Sequence, residues 1–597
     1  MHKHVVWLII LLASASDSPA QFPFPGATFE DRKRAYIEDQ GARWAGDFPS
    51  AMRMPLFAWL EQPNVGNNRS RISEEIGYLT RDDCPDDFSA YNNCWFVGAE
   101  PGPLVAGRVY YQYYQNKKII SDADAQKIKP KLLGVARSPG VWCSNANFHF
   151  TYLVTAYLYV SRVEHLGSSV YPKPDAEYHC PEPFTYNGRS YTGGNSYDSK
   201  TIYSDYLSQH LDIWLQQGSE EDLSPSGYYA MLVAAINLLY DFSPDPVIKN
   251  KAKMLLDWMV LQHAIGFSAN HISGGHGRHY RYFECGGQDS FPFGIFYNIS
   301  PDPVTRWNVF TDFYVTSYRQ PQVLVDLVEM KGEGDDYYRL IRGDVPALSG
   351  APWFTSVAQS CRYDYVTKNY NLGGAYLGTG WELNIKSADS PFKVFINWQE
   401  PPPDVCNWSS ADNQAFALGT YGYQHRNAVF VDGGGYLYEW LKRDVWDEKS
   451  SESGWRFFRK NKVAVAIKMA NTCALEVCTI GVDYPGYDDF KTAMKTQAEL
   501  TGDYFKTSQG VKISKGYIDY GADFTGLPFD RLEVWEGHVG RNDETKIIDW
   551  QNNVMTISKH GKKIIHDFNK WVYSEDGSYN IPDYQPPAPP RNFKVTQ

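Results

Sequence analysis

Hydrophobic and polar positions divide this chain of 597 residues into a half with helical spacing and a half with strand spacing. From about residue 29 to residue 348, apolar residues recur every three or four positions, which indicates helices with one buried face. The clearest helix is predicted to begin at Asp245-Pro246, because aspartate caps the first free N–H groups and proline fits the first turn. Its apolar stripe is formed by Ile248, Ala252, Leu255 and Met259.

The same spacing predicts further helices in this half. They span about residues 149–165, 203–217, 228–240 and 320–330. The short break at residues 241–244 makes the helix over 228–240 and the helix that begins at Asp245 an antiparallel hairpin. Successive helix pairs with polar loops at one end favour an α/α toroid over residues 21–350.

After about Gly350 the apolar residues form short blocks separated by turn residues, which is typical of strands. Strands are predicted over residues 383–386, 393–397, 428–431, 462–467 and 554–557. His560-Gly561 predicts a hairpin turn. A strand-rich region over residues 351–582 implies a large antiparallel β-sandwich. The predicted fold class is therefore α+β with several domains, an N-terminal α/α toroid followed by a C-terminal antiparallel β-sandwich.

Both ends of the chain differ from these halves. The N-terminus has a basic start, an apolar run over residues 5–12 and small residues up to Ala20, so residues 1–20 are interpreted as a secretory signal peptide. The proline-rich residues 583–597 have no packing pattern and are predicted to be extended or disordered. No later stretch approaches the roughly 20 apolar residues that span a bilayer. We therefore expect a secreted, extracellular protein without a membrane partner.

Cysteine usage agrees with export. Nine cysteines suit several disulfides, and the odd count leaves at least one thiol free or paired between chains. Cys84 with Cys94 and Cys473 with Cys478 are the local pairs that we expect first. Glycosylation sequons predict a glycoprotein whose sequon loops face water. They begin at Asn68, Asn298 and Asn407.

Composition narrows the class of partner. The formal net charge of -12 argues against nucleic-acid binding, which normally requires a basic surface. Aromatic residues make up 15% of the chain. Their rings combine an apolar face with a polar edge and suit the faces of sugars, although a tyrosine-rich core explains them equally well.

The densest group of candidate functional residues lies at residues 270–282, directly after the helix that begins at Asp245. This loop contains three histidines together with arginine and tyrosine side chains and three glycines. Histidines near their ordinary pKa can act as base, acid or metal ligand. The alternative is a histidine-rich surface loop or a structural metal site.

Further polar segments precede the loop, at residues 142–149 and 220–229, and another, 423–427, lies in the second half. Taken in order, these segments resemble secreted polysaccharide lyases similar to heparinase II/III. The shared pattern is an asparagine loop, an acidic-Ser-Pro-x-x-Tyr helix start, an Asp-Pro helix and Gly-Gly-x-x-Gly-Arg-x-Tyr. It spans roughly residues 141–282, and in this chain the last piece is shortened over residues 274–280.

The resemblance implies cleavage of a uronic-acid polysaccharide by β-elimination. In that reaction an amide or cation stabilises charge on the substrate carboxylate, a base removes the C5 proton and an acid protonates the leaving oxygen. The resemblance implies Asn147 as the neutralising group, His276 or His149 as the base, Tyr280 or Tyr228 as the acid and Arg278 as a charge clamp.

Several assignments stay open at this point. The base can be His149, His271, His276 or His279, and Asn145 competes with Asn147 as the neutralising amide. Other contacts with an anionic polysaccharide are predicted from the same loop and from the second half. They are His271, His279, Arg281, His425 and Arg426.

Other classes of function remain. A glycoside hydrolase needs two carboxylates, for which Glu220, Glu221 and Glu382 are available. A non-catalytic carbohydrate-binding or structural protein would keep the fold without an acid and base. No cofactor is required by the predicted reaction, although His271, His276 and His279 are conceivable ligands of a divalent metal such as zinc. The oligomeric state stays open.

Overall fold

A computed structural model describes the chain over residues 28–43, 54–80, 102–138, 141–142, 146–174, 183–217, 227–268, 271–272, 315–329, 336–342, 360–367, 369–377, 381–387, 390–397, 415–440, 446–469, 471–514, 532–538, 544–576 and 578–579. Most helices precede most strands. The helices are Phe29–Arg43 (α1), Met54–Glu61 (α2), Asn68–Leu79 (α3), Gly102–Arg108 (α4, continued by a π-helical turn Val109–Asn116), Asp122–Arg137 (α5), Ala146–Arg162 (α6), Ser199–Gln217 (α7), Gly227–Phe242 (α8), Pro246–Gly266 (α9), Gln322–Glu329 (α10) and Tyr487–Thr496 (α11).

The predicted hairpin of two helices is confirmed. Helix α8 packs against α9. In addition, α8 packs against α6, and α9 packs against α7. Asp245 begins α9 as expected, because its Oδ1 accepts hydrogen bonds from the N–H groups of Val247 (2.8 Å) and Ile248 (3.3 Å). The other predicted helices are present as α6, α7 and α10, with bounds that differ by a few residues.

Short strands also lie within the helical half. They are Ser168–Val170 (β1), Phe184–Tyr186 (β2), Arg189–Tyr191 (β3), Ser196–Asp198 (β4), Phe267–Ser268 (β5) and His271–Ile272 (β6). They pair as three two-stranded antiparallel ribbons, β1 with β4, β2 with β3 and β5 with β6. The β5–β6 ribbon directly follows α9, so it opens the histidine-rich loop.

Most of the later strands form one antiparallel sheet of thirteen strands. Its strands are Asp336–Arg342 (β7), Ser360–Thr367 (β8), Tyr370–Leu377 (β9), Trp381–Ser387 (β10), Ser390–Asn397 (β11), Ala415–His425 (β12), Ala428–Trp440 (β13), Glu448–Glu452 (β14), Trp455–Lys460 (β15), Val463–Met469 (β16), Cys473–Thr479 (β17), Leu532–His538 (β21) and Thr545–Lys546 (β22). The order is β14-β15-β16-β17-β13-β11-β10-β9-β8-β7-β21-β22, and β12 pairs with β13. The sheet begins at Asp336, before the boundary predicted near Gly350.

Two smaller antiparallel sheets complete the described strands. Glu499–Leu500 (β18), Tyr504–Lys506 (β19) and Lys512–Ser514 (β20) form the first. Ile548–Gln551 (β23), Val554–Lys559 (β24), Lys562–Asp567 (β25), Val572–Glu575 (β26) and Ser578–Tyr579 (β27) form a five-stranded meander. The predicted turn at His560-Gly561 joins β24 to β25, and both residues have positive φ (49° and 75°), as tight hairpin turns require.

The five-stranded meander packs on the helices. Strand β26 lies against α9, and β24 and β25 lie against α10. Ile557 and Ile564 therefore belong to the same buried core as Leu255 and Leu324 of the helices. The C-terminal strands contribute to the stability of the helical half, and the chain is an α+β protein in which the meander shares a core with the helices. A second buried cluster, which includes Phe430, Trp455 and Phe490, lies between the thirteen-stranded sheet and helix α11.

A buried polar network joins the meander to α9. Asp257 is completely buried and accepts hydrogen bonds from Lys253 Nζ (2.6 and 2.8 Å) and Tyr318 OH (2.9 Å). His566 Nε2 of β25 lies 3.1 Å from Asp257 Oδ2, and Lys253 Nζ also donates to Glu575 of β26 (2.9 Å). Burial opposes the charge of Asp257, but Lys253 and the hydrogen bond from His566 outweigh it, so the pKa of Asp257 is lowered.

Two expectations from the sequence are wrong. Cys473 and Cys478 are buried free thiols on the single strand β17. Five positions along a strand place them on opposite faces and about 17 Å apart, whereas a disulfide needs Cα atoms within roughly 7 Å. Asn68 does not face water, because it is buried and its Nδ2, the atom that a glycan would modify, donates to the Gln62 carbonyl oxygen (2.7 Å).

The other expected sequons and the local cysteine pair lie outside the described residues. They are Asn298, Asn407, Cys84 and Cys94. Residues 1–20 and 583–597, for which a signal peptide and a tail are predicted, also lie outside them.

Candidate functional site

The predicted site residues fall into three groups. His149, His425 and Arg426 have described side chains. Three others lie in described elements, without a described side chain: Asn147 in α6, Tyr228 in α8 and His271 in β6. The remaining ones lie outside the described residues and stay predictions: His276, Arg278, His279, Tyr280 and Arg281.

His149 lies in a closed aromatic layer between α6 and α7. Its ring centroid is 5.5 Å from that of Tyr206 and 5.3 Å from that of His210. Nδ1 of His210 donates to the Tyr206 carbonyl oxygen (2.8 Å). Burial lowers the pKa of His149 well below its ordinary value and lowers the pKa of His210 to about 4, so both imidazoles are neutral at neutral pH.

This burial bears on the choice of base. A side chain with no exposed surface does not contact a polymer unless the helices separate, and His149 is completely buried. Burial therefore argues against His149 as the base and leaves His271, His276 and His279 as the alternatives. The choice of His276 among them stays a prediction.

The start of the histidine-rich loop lies at the boundary between helices and sheet. The β5–β6 ribbon, which contains His271, lies beside strand β8, and β6 also lies beside α9. Strand β8 in turn carries Tyr363, which contacts the turn between β12 and β13. Strand β8 therefore lies next to both the opening of the histidine-rich loop and the turn that contains His425 and Arg426.

Arg426 occupies a strained position in that turn. The pair His425↔Ala428 closes a two-residue connection, and Arg426 has φ 47°, which a residue with a Cβ rarely adopts. The backbone is held on both sides, since Arg426 N–H donates to Tyr363 OH (2.9 Å) and its carbonyl oxygen accepts from Gln424 Nε2 (3.0 Å). Such a conformation costs roughly 1–3 kcal/mol and persists only where the surroundings enforce it.

The side chain of Arg426 reaches a carboxylate that two other residues already hold. Oε1 of Glu544 accepts hydrogen bonds from Tyr337 OH (2.7 Å), from Arg339 Nε (3.0 Å) and, at 3.4 Å, from an Arg426 guanidinium nitrogen. Arg339 also donates to Oε2, so it pairs with both oxygens of Glu544. The Arg426 guanidinium lies over the Tyr337 ring, 5.2 Å from its centroid. We call Tyr337, Arg339, Arg426 and Glu544 the Glu544 cluster.

Neighbouring charges and hydrogen bonds determine which members of the Glu544 cluster are ionised. Partial burial of Glu544 opposes its ionisation, but the hydrogen bond and charge of Arg339 outweigh burial, and the pKa of Glu544 is lowered. Burial, and then the hydrogen bond to Glu544, raise the pKa of Tyr337. At neutral pH the cluster therefore contains two guanidiniums, one carboxylate and a neutral phenol.

A buried acid lies behind the same turn. Asn427 exchanges hydrogen bonds with Val477 of β17 (2.7 and 2.9 Å). The neighbouring Glu476 is buried and accepts from the N–H (2.9 Å) and the hydroxyl of Ser508. Burial raises the pKa of Glu476 to about 7 and that of Asp483 to about 6.

The sequence predicted a role for Arg426, which stays a prediction, but it gave no indication of the other members of the Glu544 cluster. Glu544 is separated from Arg339 by 205 positions and from Arg426 by 118, and neither separation has a period or motif. The only available signal was alternation on β7, where Tyr337 and Arg339 share one face of the strand.

Two other kinds of feature, a metal site and a membrane-spanning helix, are absent from the described ranges. Within them, no cluster of three or more His, Cys, Asp or Glu side chains has the arrangement to hold a metal ion. The proposed zinc ligands His271, His276 and His279 have no described side chains. Among the described helices, none has the length and apolar content needed to cross a membrane.

Comparison with known proteins assigns no family. No protein-family model matches this chain, and no curated protein matches its sequence significantly. The class of protein therefore has to be argued from the residues and their arrangement.

Proposed function

We propose that the protein is an extracellular polysaccharide lyase that cleaves a uronic-acid-containing glycan by β-elimination. In this proposal the helices belong to an α/α toroid, and the thirteen-stranded sheet belongs to an antiparallel β-sandwich. The observation that carries it is the position of β8, which has the opening of the histidine-rich loop and the Arg426 turn as neighbours. A cleft between helices and sheet would thus receive residues from both.

The proposed reaction distributes its steps over these residues. Asn147 stabilises the negative charge that grows on the substrate carboxylate. His276 takes the proton from C5, the bond between C4 and the bridging oxygen breaks, and Tyr280 gives its proton to that oxygen. A C4=C5 double bond remains in one product, so atoms and charges balance without an added reactant. Arg278 contributes positive charge beside the carboxylate.

Ultraviolet absorbance tests the proposal, because the double bond conjugated to the carboxylate absorbs and a hydrolysis product does not. The secreted protein is incubated with alginate, glucuronan, ulvan, hyaluronan, chondroitin and heparan. Unsaturated product from at least one of them is expected. Saturated products would instead support a glycoside hydrolase, and binding without cleavage would support a carbohydrate-binding protein.

Variants test the assigned base and acid. His276→Ala and Tyr280→Phe should each lower kcat by roughly 10²- to 10⁴-fold, the usual effect of losing a general acid or base. His165→Ala is the matched control, since His165 is an exposed histidine paired with Asp198 (2.7 Å) in the β1–β4 region. Equal loss in the control would contradict a specific role for His276.

A further inference from the structure

A buried carboxyl group of the large sheet is joined by hydrogen bonds to two segments outside that sheet. Glu476 of β17 is 1% exposed, and its oxygens accept from the N–H (2.9 Å) and the hydroxyl of Ser508, in the turn between β19 and β20. The Ser508 hydroxyl is also hydrogen-bonded to the phenol of Tyr484, which lies between β17 and α11. One side chain therefore connects the sheet, the turn and the segment that follows β17.

The turn that contains Ser508 is also closed by hydrogen bonds of its own. Thr507 N–H donates to the carbonyl oxygen of Val511 (2.8 Å), and Gly510 N–H donates to the carbonyl oxygen of Thr507 (2.9 Å). These bonds do not involve Glu476. The turn can therefore lift from β17 as a unit without losing its internal hydrogen bonds.

The neighbours of Glu476 are acids or uncharged groups. Ala428 and Ala466 lie opposite it on the two flanking strands. The titratable groups that act on it come from β9, from β17 itself and from the segment after β17. They are Tyr370, Cys478, Asp483 and Tyr484. None of these six residues has a positive charge that could pair with an ionised Glu476.

Two carboxyl groups change their charge between pH 5 and pH 8. Burial, together with the charge of Asp483, raises the pKa of Glu476 to about 7, although hydrogen bonds from Ser508 and Tyr484 oppose the rise. Burial also raises the pKa of Asp483 to about 6, against a hydrogen bond from the N–H of Thr479 (2.6 Å). Both carboxyl groups are therefore neutral at about pH 5 and mostly anionic at pH 8.

The other groups keep their charge state over this range. Burial raises the pKa of four neighbours, which stay protonated: Tyr365, Tyr370, Cys478 and Tyr484. Arg426 and Glu544, which act on Tyr365 as Asp483 does, stay charged. A guanidinium does not lose its proton in proteins, and the hydrogen bond and charge of Arg339 outweigh burial and lower the pKa of Glu544. Among all these groups, only the two carboxyls behind the turn respond to pH.

We propose that Glu476, Ser508 and Tyr484 form a pH-sensitive clamp, which holds the β19–β20 turn on the large sheet in acid and releases it as the pH rises toward neutral. In acid the clamp contains no buried charge. At higher pH two like charges lie behind the turn, and lifting the turn lets water solvate them. Because β20 lies against β12 and β13, release also removes support from the hairpin whose tip contains Arg426. The proposal does not rest on lyase activity.

Hydrogen exchange of the intact protein between pH 5 and pH 8, read at single residues and corrected for the intrinsic effect of pH, tests the clamp. With a pKa of about 7 in the closed state and 4.5 in the open state, Glu476 alone should increase the open fraction roughly 70-fold over this range, mostly below pH 7. The protection of the Ser508 amide should therefore fall by about 10- to 100-fold. The Gly510 amide, bonded within the turn, should lose less protection.

Two results with the parent protein would overturn the clamp. One is a protection of Ser508 that does not change with pH. The other is exchange of Ser508 only through global unfolding, with a protection that equals the unfolding constant measured in urea at each pH. In that case Glu476 would affect overall stability without releasing the turn.

Variants then assign the response to its carboxyl groups. Glu476→Gln cannot ionise and should leave only the smaller part of the pH response that is due to Asp483. Asp483→Asn changes a half-buried residue and should reduce the response without abolishing it. Glu499→Gln, on an exposed residue of β18 in the same small sheet, is the matched control and should leave the response unchanged.

A Glu476→Gln protein with the circular dichroism spectrum of the parent and an undiminished response would contradict the role of Glu476. If that variant does not fold, Asp483→Asn decides, because a response equal to that of the parent would then overturn the clamp.

Discussion

Replacing Asp257 with asparagine should destabilise the contact between the meander and helix α9. Asp257 is fully buried, and its partners come from three parts of the chain: Lys253 on the same helix, Tyr318 after it and His566 on β25. Asparagine keeps the size and one accepting oxygen but removes the negative charge. The buried ammonium of Lys253 then retains Glu575, at 2.9 Å, as its remaining anion in this network.

The expected magnitude follows from burial. Removing one partner of a buried ion pair typically costs about 3–5 kcal/mol, because the remaining charge stays in a poorly solvated place. Asp326 provides the control on the same interface. It is itself buried, but its partner Lys562 (3.0 Å) is 40% exposed, so the cation left by Asp326→Asn is solvated and a smaller loss is expected.

Urea denaturation of the parent, Asp257→Asn and Asp326→Asn would measure the two free energies of unfolding. Hydrogen exchange of β24–β26 adds a local reading, and faster exchange is expected in Asp257→Asn. Equal, small losses in both variants would refute the reasoning, since they would show that the buried network contributes no more than a pair whose cation is solvated.

Other predictions follow from single residues. Burial raises the pKa of Glu476 in the folded protein to about 7 from an ordinary value of 4.5. Its favourable contribution to the free energy of unfolding is therefore present below about pH 4.5 and is lost as the pH rises through 7. Glu476→Gln should remove this part of the pH dependence, which unfolding measurements between pH 5 and pH 8 would show. The thiols of Cys473 and Cys478 should react with iodoacetamide only after denaturation, because both are buried and burial raises their pKa values. Asp245→Ala should lower the free energy of unfolding by about 1 kcal/mol through loss of the helix cap, and an unchanged urea midpoint would contradict this.

The elements that sequence reasoning predicted well are those with local causes. Asp245-Pro246 predicted the start of α9 because a cap involves residues two and three positions away. His560-Gly561 predicted a turn because two residues with positive φ suffice to connect adjacent strands. In both cases all the interacting groups lie within a few positions, so a short window of sequence contains the cause.

The errors came from interactions that do not act along a short window. Cys473 and Cys478 are close in sequence, but the extended strand β17 holds them far apart and on opposite faces. Their spacing would equally suit a loop in which the two thiols could pair, so the spacing alone did not predict the strand. Residues 68–70 match the glycosylation sequon, but the amide nitrogen of Asn68 donates a hydrogen bond to the carbonyl oxygen of Gln62. The pairing of β7 with β21, nearly two hundred positions later, also has no cause within a short window, unlike the pairing of β7 with the next strand, β8.

The candidate site was the least predictable part, because the role of a charged side chain at the boundary between helices and sheet depends on the groups that surround it. The pair Lys253 and Asp257 has the spacing of an ordinary surface pair on a helix, but both side chains are buried and Glu575 of β26 lies 2.9 Å from the same ammonium. Tyr337, Arg339 and Arg426 likewise surround Glu544 although they lie 118 to 207 positions away from it. Strand pairing and helix packing bring these partners together, so a short window of sequence that contains one charged residue does not contain the groups that determine its role.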